Sequence, residues 1–215
     1  MFNKARVKLV IFDLDGTLID AYGAIIRSFN HVMRKLGYRS QSDLVIRRAV
    51  GWGDSNLLAP FVDTGGLNKA VSLYRRHHEK SLIEDSRLLP HAKRVLRYLK
   101  ARGYFIAVAS NRPTKFSHIL IRHLGLEKYF DDVLCADKLK AGKPHPEILN
   151  KIRKKFSLKK NEALYIGDMV IDAQAGSRAG IKTIIVSGGS STRSQIRKEK
   201  PWKMVRGLDS LLELL

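Results

Sequence analysis

The chain has 215 residues, 44% of them apolar, and carries 40 Lys plus Arg against 20 Asp plus Glu, a formal charge of +20. That is enough for one substantial core with a smaller insert. The N-terminal apolar run is too short for a signal peptide, no stretch reaches membrane-spanning length, and the single Cys135 excludes an internal disulfide or a cysteine-rich zinc site. A cytoplasmic protein with no membrane partner is expected.

The apolar run Leu9 to Phe12 reads as a buried parallel strand, and it ends in Asp13 and Asp15, then Gly16 and Thr17. Open α/β sheets place their ligands at this carboxyl end. Two acids there repel unless a cation or proton offsets them. A simple Asp-Gly turn explains Gly16 and one acid, but not both acids beside a hydroxyl.

Beyond Thr17 the spacing turns helical. Ile25, Ile26, Phe29, Val32, Met33 and Leu36 recur at three and four residues before Gly37. Leu44 to Val50 and Leu67 to Leu82 are also expected helices, separated by breaks at Gly51-Trp52-Gly53 and Thr64-Gly65-Gly66. No convincing strand lies between Ile19 and Arg87, so residues 19–87 are predicted to be a helical insert.

From Leu88 onward helices and strands alternate. Helices are predicted over 91–102, 115–124, 146–156 and 170–179, and strands over 104–109, 133–135, 163–166 and 182–186. Met204-Val205 reads as a last strand that closes the series and Leu208 to Leu215 as a last helix. Such alternation builds a parallel sheet covered on both faces.

Three more strand ends carry polar groups. Ser110-Asn111 offers a hydroxyl and an amide, Gly142-Lys143-Pro144 holds a lysine in a turn, and Gly167-Asp168 is followed by Asp172 one helical turn on. Singly, each has a plainer explanation as a helix cap or a surface charge. Their order and common placement argue for one site.

Together, DLDGT at 13–17, SN at 110–111, GKP at 142–144 and GDMVID at 167–172 resemble the haloacid dehalogenase superfamily, in its phosphoglycolate phosphatase-like branch, over essentially the whole chain. The resemblance implies a Rossmann-like α/β core over 1–18 and 88–215 with a helical cap over 19–87. It also implies a Mg2+-dependent phosphatase for a small phosphorylated metabolite, working through an aspartyl-phosphate. Asp13 would attack phosphorus, and Asp15 would protonate the leaving alcohol and then activate water. Asp13, Asp15 through its carbonyl, Asp168 and Asp172 would serve the metal. Ser110, the Asn111 amide, Lys143 and Thr17 would contact the phosphoryl group, with Lys143 counted in the catalytic set. Dehalogenases and phosphonatase-like members replace the second acid. Asp54 stands near the phosphonatase lysine, and Ile25 near the histidine of the phosphoglucomutase-like members.

Other residues carry weaker expectations. His77 and His78 read as surface or interface packing. Trp52 reads equally as a loop touching the leaving group or as a buried anchor. Arg47 and Arg48 could bind a second anionic group, with a solvated face as the default; Asp20 reads as a hinge residue, and Arg112 and Met169 fit no known specificity. The +20 charge suggests a second reading, a nucleic-acid-associated protein, either a binder or a phosphatase of polynucleotide ends. It is not favoured: residues 138–160 carry nine bases against one acid at helical spacing, which reads as a solvated face, and the insert holds eleven bases against seven acids. A monomer or homodimer is expected.

Overall fold

The computed structural model describes residues 7–215. Strand β1 (Leu9–Phe12) is wholly buried, as its four apolar side chains require. It pairs in parallel with β4 (Phe105–Ser110) on one side and β6 (Ala163–Gly167) on the other. Strands β5 (Asp132–Cys135), β7 (Lys182–Val186) and β8 (Lys203–Val205) extend this to six parallel strands in the order β5-β4-β1-β6-β7-β8. The chain therefore leaves β1 in both directions. That reversal opens a crevice at the carboxyl ends of β1, β4 and β6.

Alternate side chains of β1 enter different layers, as the two-residue period of a strand demands. Val10 and Phe12 pack with α5 (Ala92–Ala101), α6 (Thr114–His123) and Leu211 of α10 (Leu211–Leu214). Leu9 and Ile11 pack with α7 (Glu147–Lys155) and α8 (Val170–Ala179) on the other face. The expected α/β architecture, a Rossmann-like parallel sheet with helices on both faces, is what forms.

Between β1 and β4 the chain detours through α1 (Tyr22–Lys35), α2 (Asp43–Ala49), α3 (Asp54–Leu58) and α4 (Leu67–Asp85). These helices bury their own cluster around Phe29, Met33, Ile46, Leu58 and Tyr74. Entry and exit run side by side as a short antiparallel ribbon, β2 (Ile19–Asp20) against β3 (Arg87–Leu88), with an Arg87–Asp20 bridge of 2.9 Å. That ribbon and the short helices α3 and α9 (Arg193–Lys198) lie outside the sequence expectation. Ribbon and α3 are too short to show a period. Among the described residues no helix is long and apolar enough to cross a membrane.

The basic helices behave as solvated faces. In α7 the buried side chains are Ile148, Leu149 and Ile152, while Lys151 and Lys155 point outward to Glu147 and Asp132.

Candidate active site

The first loop past β1 is shaped by Gly16, whose φ of 82° suits glycine. A Cβ at Gly16, or at Gly189 after β7, would collide with Asp168 Oδ2. The two glycines thus make room around one carboxylate oxygen that is buried and has no hydrogen-bond partner. Its other oxygen accepts from Thr17 Oγ1 at 3.1 Å.

Asp13, Asp168 and Asp172 are all buried and bring a carboxylate oxygen each within 4.8 Å of one another. Among the described residues one cation faces them. Lys143 Nζ lies 2.5 Å from Asp13 Oδ1 and 2.8 Å from Asp172 Oδ1. Asp172 also accepts from Tyr165 Oη at 2.6 Å and from the backbone N–H groups of Asp168 and Met169 at 3.1 and 3.0 Å. Three acids with one lysine leave excess negative charge in a dry site. Burial, opposed by Lys143 and reinforced by Asp172 and Asp15, pushes Asp13 up to about 7. Burial, then Asp172 and Asp13, holds Asp168 well above the carboxylate range. Burial pulls Lys143 down, but Asp13 and Asp172 more than offset it and keep it charged. An all-oxygen set with an orphaned buried oxygen fits a hard divalent cation such as Mg2+.

Asp15 is not one of the three clustered acids but lines the same cavity as Asp13. Its carboxylate accepts Arg112 Nε and Nη2, both at 2.8 Å. Asn111 is committed as well: its Nδ2 donates to the carbonyls of Gly51 and Lys143 at 2.9 Å each, and its Oδ1 accepts the Lys143 N–H at 2.7 Å. The Asn111 side chain thus ties three loops together. Ser110 Oγ accepts the Arg112 N–H at 3.1 Å and keeps its own proton to donate. Thr17, expected on phosphate, instead spends its hydroxyl on Asp168.

These groups surround a cavity of about 60 Å³ lined by Asp13, Asp15, Ser110, Asn111, Arg112 and Lys143 from the core, facing Ile25, Val50, Asp54, Leu57 and Tyr74 from the helical block. Ile25 and Asp54 do face the cavity, and Asp54 is held by Arg75 at 2.9 Å. Met169 lines it too. Trp52 is no buried anchor: it is 46% exposed and lines an outer cleft beside Lys143. Arg47 lies over the Tyr22 ring at 4.4 Å and lines a separate cavity, and Asp20 joins the ribbon. Tyr165 and the partners of Arg112 escape sequence reasoning. Tyr165 is the one hydroxyl in an otherwise apolar strand, ALYIG, and that is the available signal.

The haloacid dehalogenase-like hydrolase family matches residues 10–186. A phosphoglycolate phosphatase of Rhodobacter capsulatus is 36% identical over 84% of this chain and 84% of its own length. One from Vibrio parahaemolyticus is 30% identical over 97% and 96%. The crystal structure of a predicted phosphoglycolate phosphatase from Haemophilus somnus superposes with a TM-score of 0.92, at 25% identity and 99% coverage of both chains. Fold, site and relatives agree: the chain belongs to the haloacid dehalogenase-like hydrolase family, in its phosphoglycolate phosphatase-like branch, and is an enzyme of the phosphatase class.

Proposed function

We propose that the protein hydrolyses a small phosphate monoester in two transfers, with Asp13 as nucleophile and a phosphorylated hydroxy acid of the phosphoglycolate type as the leading substrate. The observation that carries this reading is Asp13 on the cavity wall, held by Lys143 and backed by Asp168 and Asp172. The named relatives support the substrate class, and the cavity of about 60 Å³ suits a short leaving group.

In this reading Asp13 forms an aspartyl-phosphate as the P–O bond to the leaving group breaks. Asp15 supplies the proton to the departing alkoxide, then takes one from the water that hydrolyses the intermediate. Ser110, the Asn111 backbone N–H and Lys143 neutralise the phosphoryl oxygens. Asp13, Asp168 and the Asp15 carbonyl would hold Mg2+, with Asp172 supporting them. Bound there, the ion would mask phosphate charge that otherwise repels a carboxylate. Thr17 orients Asp168. The helical insert, residues 19–87, would act as the cap that closes over the leaving group.

The test is phosphate release from a panel of phosphoglycolate, sugar phosphates, nucleoside monophosphates and pyrophosphate, with Mg2+ and after chelation. Release confined to the Mg2+ arm and strongest for a small ester is expected. The nucleic-acid reading rests on charge alone, and nothing in the site favours it.

A further inference from the structure

The reading of Asp15 as acid and base leaves open what aims it. Asp15 and Arg112 form a two-pronged pair, Nε to Oδ2 and Nη2 to Oδ1, both at 2.8 Å. The guanidinium is buried, and its third nitrogen, Nη1, lies 2.7 Å from Nε2 of His78 on α4. An arginine can only donate, so His78 Nε2 carries the lone pair and the ring is neutral, with its proton on Nδ1. That proton then points to Ser28 Oγ on α1, at 3.1 Å. Burial and the neighbouring Arg112 hold His78 well below its ordinary range, in keeping with this tautomer. The ring is packed on both sides of the interface. It stacks on Tyr74 of the helical block at 4.7 Å and meets the edge of Phe116 of α6 at 5.5 Å.

We infer that Arg112 and His78 are positioning residues that couple the seat of the helical insert to the aim of Asp15. The chain Ser28–His78–Arg112–Asp15 begins on the insert and ends at the catalytic loop. Each of its bonds has a partner fixed by packing. When α4 sits on the core, Arg112 is pinned at Nη1 and its fork holds both Asp15 oxygens in one orientation. When α4 lifts, Arg112 loses its outer anchor and Asp15 its fixed aim. Acid–base chemistry is thereby confined to the covered site, while phosphate binding through Ser110 and Lys143 does not depend on it.

This inference rests on the proposed role of Asp15, and a comparison of two esters separates the two. Nitrophenyl phosphate leaves without a proton, whereas phosphoglycolate needs one. For Arg112→Lys, which keeps the charge but loses the fork, kcat on phosphoglycolate should fall about 100-fold. Single-turnover phosphoryl transfer from nitrophenyl phosphate should change by less than about 5-fold. His78→Leu strands Nη1 and should cost about 10-fold on phosphoglycolate, while His78→Gln, whose carbonyl can accept from Nη1, should return to within about 3-fold of the parent. Equal slowing of both esters by Arg112→Lys overturns the inference, as does identical behaviour of the two His78 variants. A higher KM for phosphoglycolate at unchanged kcat would make Arg112 a leaving-group contact and overturns it too. If the parent releases phosphate from neither ester, the phosphatase chemistry itself has failed, and the inference with it.

Discussion

The two walls of the cavity are built on opposite principles. On the core side, the polar side chains at the strand ends are tied into one another: Asp172 alone accepts from Lys143, Tyr165 and two backbone N–H groups. On the insert side the wall is mostly apolar, Ile25, Val50, Leu57 and Tyr74, with Asp54 held by Arg75. A network of short bonds in a dry site sets charges and cannot adapt cheaply. An apolar wall selects by shape, and a methylene there is worth only about 1–3 kcal/mol. In the proposed function this contrast assigns the reaction to the core wall and the choice of leaving group to the insert wall.

Changes to the buried cluster around Asp13 should therefore be catastrophic and indifferent to substrate, unlike those at Asp15 and Arg112. Asp13→Asn should cut turnover at least about 1000-fold on every ester while melting as the parent does, because an amide cannot attack phosphorus. Retained turnover would place the nucleophile elsewhere. Asp168→Ala should lose activity and calorimetric Mg2+ binding together, at about 100-fold or more; a variant that still binds Mg2+ normally would break the assignment of the cluster. Lys143→Met strips its paired cation from Asp13 and Asp172 and should destabilise the fold by about 3 kcal/mol in denaturant titration. Proton linkage sharpens the same point. In the metal-free protein, Asp13 keeps its proton up to about 7 against 3.8 unfolded, so its contribution lowers stability as pH rises through that window. An Mg2+ ion held by Asp13 would have to displace the proton, so its affinity should climb across the window and level off above it. A flat calorimetric profile would contradict this. The smallest effect belongs to the insert wall. Leu57→Ala should shift the preference between phosphoglycolate and a bulkier sugar phosphate by about 10-fold, with nitrophenyl phosphate transfer nearly unchanged.

Most of the sheet is legible in the residues because buried strands such as LVIF and ALYIG leave a continuous apolar signal. The acids at their ends are legible for the same reason: Asp13 and Asp168 interrupt runs that have no other cause to stop. What escapes is what depends on partners distant in the chain. Arg112 and Asp15 are 97 residues apart, and His78 meets Arg112 across 34, so no spacing rule connects them. His78 does pack at an interface, but its bond to Arg112 is a tertiary fact. Thr17 sits in the motif as expected, yet its hydroxyl turns to Asp168 because that buried carboxylate needs a donor more than the open cavity does. Helix α9 is a different case. Thr192 and Gln195 form a capping box that three-residue spacing could have revealed.

Whether phosphate passes through Asp13 is decided by one mass measurement. Asp15→Ala, exposed briefly to nitrophenyl phosphate with Mg2+, should gain the mass of one phosphoryl group, mapped to Asp13, because transfer proceeds but the water lacks its base. The double variant Asp13→Asn, Asp15→Ala should gain nothing. No adduct in Asp15→Ala while nitrophenol is released, or an adduct that maps to another residue, would contradict the account.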